Sequence, residues 1–191
     1  MKTFFTADLH LFDDIYPYRG FKDSREYVEM LTRRWNDTVG SNDMVFILGD
    51  ISKGEDEVNS YVAVKWIQSH FNGHKVLIPG NHDTYAMCTQ FAAGNRCYVR
   101  KMAETIRIND KIFLLTHMPA HPDELKFYTG NIHGHIHRPI PEIGYTPISW
   151  PNPQRDVMDE WLRHHSYYNV NVEFHDWAPV SEESVKIWFN I

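Results

Sequence analysis

Cysteine is scarce in this 191-residue chain, and the two present, Cys88 and Cys97, have no metal or redox spacing. A thiolate metal site is thereby excluded, and both read as buried thiols. Long apolar runs are missing too: stretches such as Ile112 to Leu115 are one strand long, far short of the roughly 18 residues that cross a bilayer. Met1 to Ala7 is too short and too polar for a secretory core, so no membrane association and a cytoplasmic setting are expected. An excess of positive charge is absent as well. Acidic residues number 25 against 19 basic, a formal net charge of -6, which disfavours duplex nucleic acid and favours a small substrate. No repeat, low-complexity tract or linker divides the chain, so residues 1–191 read as one domain. With 42% hydrophobic and 14% aromatic residues, the chain can fill a core, which excludes disorder.

What is abundant is histidine, with 12 in all and three between His133 and His137. Imidazole is the commonest transition-metal ligand near neutral pH, so the excess points to metal chemistry. Strand-like runs alternate with helical periods, which implies parallel strands joined by crossovers. Lys2 to Ala7, Met44 to Leu48 and Lys75 to Pro79 read as strands. Asp23 to Val39 reads as a helix with Tyr27, Met30, Leu31 and Trp35 on one face and a cap at Asp23 or Ser24. Val58 to Phe71 reads as a second, with Tyr61, Val62, Lys65, Trp66 and Ser69 along its stripe. Thr105 to Ile108 and Lys111 to Thr116 flank Asn109-Asp110 as a hairpin. Asn131 to His137 and Tyr168 to Phe174 read as further strands, and Glu182 to Phe189 as a capped helix in preference to an edge strand. Five prolines between residues 138 and 156 make that segment a loop, the expected selectivity element, in which Tyr145 and Trp150 are candidates to stack on a ring.

Four clusters follow predicted strands directly: Asp8-Leu9-His10, Gly49-Asp50, Gly80-Asn81-His82-Asp83 and Thr116-His117. The fifth is Gly134-His135-Ile136-His137. Strand carboxyl ends converge on one edge of an α/β sheet, so these residues are expected to meet there. Alternation along an extended segment places Asp8 beside His10 and His135 beside His137. Asp8, His10, Asp50, Asn81, His117, His135 and His137 are too many ligands for one ion. If Asp50 bridges, they divide into two four-ligand groups. Oxygen and nitrogen donors without thiolate suit two divalent transition-metal ions, manganese foremost, with iron, zinc or nickel as alternatives. Gly49, Gly80 and Gly134 sit where backbone must turn sharply or approach closely. His82 is surplus to the ligand count and is assigned to catalysis, with Asp83 placed to orient or charge its ring. His133 reads as packing behind the site, and His121 as a solvated loop residue. Arg33-Arg34 and Arg96, Arg100, Lys101 read as solvated faces.

These clusters, in this order, resemble the calcineurin-like metallophosphoesterase superfamily, whose pattern runs D-x-H, G-D, G-N-H-D/E, H and G-H-x-H. The ending, Asn169-Val170-Asn171-Val172 with Pro179-Val180-Ser181, is similar to that of a small, cap-less subfamily of bacteria and phages. The resemblance implies a four-layer α/β/β/α sandwich with two mixed sheets. It implies one metal on Asp8, His10, Asp50 and His137, and another on Asp50, Asn81, His117 and His135. Activity follows as hydrolysis of a phosphoester by a hydroxide shared between the ions, with His82 steadying the phosphoryl oxygen or protonating the leaving group. Two departures stand out: Phe12-Asp13 replaces the usual Gly-His, and Arg19-Gly20-Phe21 replaces Arg-Pro-Phe. A phosphodiesterase on small nucleotide-like substrates is favoured over a phosphomonoesterase with the same site. A non-catalytic scaffold is disfavoured by His82, and a single-strand nuclease by a length that leaves no room for a capping domain.

Overall fold

The structure, a computed structural model, describes residues 1–54, 56–138 and 166–191. Four apolar runs become parallel neighbours: β1 (Thr3–Thr6), β2 (Met44–Ile47), β3 (His74–Leu77) and β4 (Cys97–Val99). They lie in the order β4-β3-β2-β1, and β9 (Val180–Ser181) extends the β1 edge antiparallel. The crossovers are α1 (Ser24–Thr38), α2 (Glu57–His70) and α3 (Tyr85–Ala92). Asp23 starts α1 by accepting the Glu26 amide at 2.8 Å, and the helix buries Tyr27, Val28, Leu31 and Trp35, the face that the sequence predicts. Each such large side chain contributes about 1.5–3 kcal/mol by leaving water.

α2 is rotated from its expected stripe. It buries Ser60, Ala63, Val64 and Ile67, while Tyr61 and Val62 are exposed. Two of the four buried positions, Ser60 and Ala63, carry small side chains, so counting bulky apolar positions pointed to the wrong face. α3 and β4 have no clear mark in the sequence: one is eight residues long and the other three.

The second sheet runs β5-β6-β7-β8. β5 (Ala103–Ile108) and β6 (Lys111–Thr116) form the predicted hairpin, with Ile108 opposite Lys111 and Asn109 at φ +54° in the turn. β7 (Gly130–His133) and β8 (Tyr167–Asn169) join in parallel. Two of the expected strands are shorter than predicted. The run from Asn131 ends at His133, and the run from Tyr168 gives way to a 3-10 turn at Val172–Phe174.

One apolar cluster, including Leu31, Trp35, Val64 and Phe91, lies between the crossover helices and the first sheet. Another, including Phe5, Leu48, Phe113, Leu115 and Ile132, joins the two sheets. The last segment is the predicted helix, α4 (Glu182–Phe189), which Ser181 caps by accepting the Ser184 amide and which adds Val185 to the inter-sheet core. Two mixed sheets with flanking helices thus agree with the expected fold class. Cys97 is buried but Cys88 is only half-buried. Among the described residues no helix is long and apolar enough to cross a membrane. Of the Pro-rich loop, Tyr145 and Trp150 lie outside the described residues, as do His164 and His165.

Candidate metal centre

Strand ends place the ligands, but the backbone that carries them is not extended. Asp8, His10, Asp50 and His135 all have left-handed φ, at 60°, 45°, 56° and 68°. Such conformations cost non-glycine residues on the order of 1–3 kcal/mol each and persist where the surroundings hold them. The turn after β1 is held by main-chain bonds to the end of β2, from Asp8 N to Gly49 O at 3.0 Å and from His10 N to Asp50 O at 3.1 Å. Alternation therefore does not explain the pairs. Asp8 and His10 still converge, through a tight turn, whereas His135 and His137 separate into different groups.

One group is Asp8, His10 and His137; the other is Asp50, His117 and His135. In the first, Asp8 Oδ1 and His10 Nε2 are buried without a hydrogen-bond partner, and His137 Nε2 lies 3.3 Å from that same oxygen. In the second, Asn81 Oδ1, Asp50 Oδ2 and His135 Nδ1 stand 2.9, 3.1 and 3.1 Å from His117 Nε2. Lone-pair atoms crowded or orphaned in this way lack the positive centre that would satisfy them. A divalent cation fits each donor set, and the seven residues expected as ligands lie at the two places, six in the groups and Asn81 beside the second.

The electrostatics agree. Burial pushes the His137 imidazole down, yet hydrogen bonding to Asp8 and Glu173 outweighs it and holds the pKa at about 9. His117 is likewise held at about 9 against burial, chiefly by Asp50. Burial would raise the Asp50 carboxyl, but His117 and His10 hold it well below the usual carboxylate range. The centre is built to contain positive charge.

Three of the four imidazoles, His10, His117 and His137, are oriented from behind. His10 donates Nδ1–H to Asp13 Oδ2 at 2.8 Å, and the other Asp13 oxygen accepts Ser52 Oγ and the Lys53 amide, each at 2.9 Å. His117 donates Nδ1–H to Leu48 O at 2.8 Å, and His137 donates Nδ1–H to Glu173 Oε1 at 2.8 Å. These contacts select the tautomers that turn Nε2 inward. Arg19 lies behind the first group with its side chain 2% exposed. Nε and Nη2 reach Glu173 Oε1 at 2.9 and 2.8 Å, Nη2 reaches Asp8 O at 2.9 Å, and Nη1 reaches Leu9 O at 3.2 Å and the Tyr27 hydroxyl. Four of the five guanidinium N–H donors are thus hydrogen-bonded, and the ion pair with Glu173 adds to them. Spacing revealed none of Asp13, Arg19 and Glu173. Asp13 did carry a signal, as a departure from the usual pattern, whereas Arg19 matches the arginine of that pattern and Glu173 lies in neither segment.

His82 donates Nδ1–H to Lys53 O at 3.0 Å, and its ring centroid lies 5.7 Å from that of His10. Asp83 does not serve His82 as expected. Its carboxylate accepts the amides of Asp50, Ile51 and Gly80 at 2.8, 3.0 and 2.9 Å, bracing the loops after β2 and β3. Burial, reinforced by Asp50, pushes its pKa up to about 6 although those amides pull it down. Of the glycines, Gly49 has φ +84°, and a Cβ there would meet His117 Nδ1 at 2.5 Å. At Gly134 a Cβ would meet the Ala7 Cβ at 2.4 Å and Asp8 Oδ2 at 2.6 Å.

Outside the two groups the bland readings apply. His133 is buried, donates Nδ1–H to Gly134 O at 2.8 Å, and is driven by burial to a pKa of about 4. His121 caps a short 3-10 turn by accepting the Asp123 amide. Arg34 and Arg100 pair with Asp176 and Glu104 on the surface.

The comparisons with known proteins point the same way. Over 166 residues the chain is 27% identical to an uncharacterized protein of Methanocaldococcus jannaschii, covering 87% of this chain and 77% of that one. Over 83 residues it is 40% identical to the gene 66 protein of Mycobacterium phage L5, covering 42% of this chain and 39% of that one. A protein of unknown function from Aquifex aeolicus has the same fold, with a TM-score of 0.67 and 21% identity over 97% of this chain and 98% of that one. The family model for calcineurin-like phosphoesterases matches residues 1–190. With that match and two converging sets of metal ligands, the chain belongs to the calcineurin-like phosphoesterase family, the metal-dependent hydrolases of phosphoric esters.

Proposed function

We propose that the protein is a two-cation phosphodiesterase acting on small, nucleotide-like esters. Asp8, His10, Asp50 and His137 would hold one ion, and Asp50, Asn81, His117 and His135 the other; manganese suits this donor set. When bound, such ions acidify a water molecule and neutralise charge on the phosphoryl oxygens. The carrying observation is His10 Nε2, a buried nitrogen without a hydrogen-bond partner that lies within 4.8 Å of ligand atoms of Asp8 and His137, as a shared cation would require.

This chain's own contribution is proton management and positioning. His82 has Nδ1–H committed to Lys53 O, so as an imidazolium it would give the proton on Nε2 to the departing ester oxygen and end as the neutral Nδ1–H tautomer. The amide of His82 also donates to Asp50 Oδ1 at 3.0 Å, tying the proton donor to a shared ligand. The diester preference rests on Arg19. Its guanidinium is buried, hydrogen-bonded to Glu173, Tyr27 and the carbonyls of Asp8 and Leu9, so it is committed to the protein and not to the second charge of a monoester dianion. With added manganese, bis(p-nitrophenyl) phosphate is expected to turn over faster than p-nitrophenyl phosphate. Faster monoester turnover overturns the preference.

A further inference from the structure

The two ligand groups are braced differently. His117 leans on the carbonyl of Leu48, and Asp50 is steadied through its own amide and that of Ile51, both on Asp83. Behind the other group stands an ion pair. Arg19 touches the carbonyls of Asp8 and Leu9, which form the strained turn carrying two ligands, and also Glu173, which fixes the ring of the third. Arg19 and Glu173 are 154 residues apart in sequence, so the contact joins the turn after β1 to the segment after β8.

We propose that Arg19 and Glu173 are a positioning pair that sets cation affinity at the Asp8–His10–His137 group, leaving the Asp50–His117–His135 group to its own supports. The inference rests on the two-cation reading above. Three features carry it. First, the carbonyls of Asp8 and Leu9 belong to the turn in which Asp8 and His10 have positive φ, and the guanidinium satisfies both, which keeps Asp8 Oδ1 and His10 Nε2 facing one point. Second, Glu173 Oε1 accepts Nδ1–H of His137, so the ring presents Nε2 to that point, while Glu173 Oε2 accepts the Arg138 amide at 2.8 Å and cannot swing away. Third, Arg19 is boxed in by the Tyr27 and Trp177 rings, 5.2 and 5.7 Å from the guanidinium carbon, so the fork has one orientation. The groups are linked through Asp50, given above to both ions, and through the His135 amide on the Asp8 carboxylate, and neither contact involves the side chain at 19 or 173.

The test titrates metal-free protein with Mn(II) alone by calorimetry and counts bound metal after gel filtration. Wild-type protein is expected to take up two equivalents. Glu173→Gln and Arg19→Lys are each expected to weaken one binding class by about 10- to 100-fold and to leave the other within about threefold, with unchanged circular dichroism. Arg19→Lys retains the charge but loses the fork, so it decides the matter if Glu173→Gln does not fold. Arg34→Gln, which removes an exposed arginine paired with Asp176, controls for lost charge and is expected to leave both classes unchanged. Wild-type protein with two equivalents and folded variants with both classes unaltered, or both weakened alike, overturns the pairing alone. Wild-type protein that accepts no more than one equivalent overturns the two-cation reading together with it.

Discussion

A histidine next to a ligand but not among the converging atoms is the clearest sign of chemistry beyond metal holding, and His82 meets that description. Its ring is fixed through Nδ1 on Lys53 O, and it stands beside the His10 ring without joining either ligand group. His82→Ala is therefore expected to keep both metal equivalents and lose roughly 10² in kcat, the usual scale for a proton donor. Asp50→Ala is expected to lose metal instead. Elemental analysis beside the phosphoester assay separates the two, and an unaltered rate in His82→Ala removes that residue from catalysis. At this scale residue type and spacing picked out the residues that the structure gathers into two candidate groups, because chelation demands particular atoms at short chain separation. They could not reveal Asp13, Arg19 and Glu173, whose role depends on which buried nitrogen needs a partner. Adjacency in sequence also overstated the tie between His82 and Asp83, whose carboxylate faces three amides.

Elements contribute by how abruptly they stop. β7 ends at His133, and Gly134 then passes so close to Ala7 and Asp8 that a methyl group has no room. Gly134→Ala is expected to displace Asp8, cost about 1–3 kcal/mol in stability as overpacking does, and lower metal uptake. Thermal melts and metal counting check both; a variant that melts and binds as wild type shows that the close approach is unnecessary. The capped helices α1 and α4 and the Asn109-Asp110 hairpin were legible because local side chains dictate them. The tail of the run from Asn131 was not. Its residues alternate like a strand, yet the centre holds His135 in a left-handed conformation that propensity does not foresee. The buried face of α2 was misread because small side chains at Ser60 and Ala63 occupy two of its four buried positions.

For the molecule as a whole, alternation of strands and crossovers was enough to place three of the four parallel strands and the candidate residues Asp8, Asp50 and Asn81 beyond their ends. Which sheet β7 and β8 belong to depends on long-range pairing that no local window records. A candidate centre shared by both sheets means that cations bound there would also hold the sheets together. Stripping metal with a chelator is expected to lower the melting temperature by about 5–10 °C relative to protein with excess Mn(II), since an ion at a hundredfold its Kd stabilises by about 2.7 kcal/mol and 1 kcal/mol shifts a chain of this size by about 2–4 °C. Identical melts with and without chelator would show that the ions lend the fold nothing.

Glu173 on His137 and β9 against β1 have a temporal consequence. Ribosomes release the histidines of both G-H-x-H positions well before they release the carboxylate that turns one of them inward, and β1 waits longer still for its outer neighbour. A growing polypeptide thus carries its ligands long before it can hold them in register, so hydrolytic competence arrives late in synthesis.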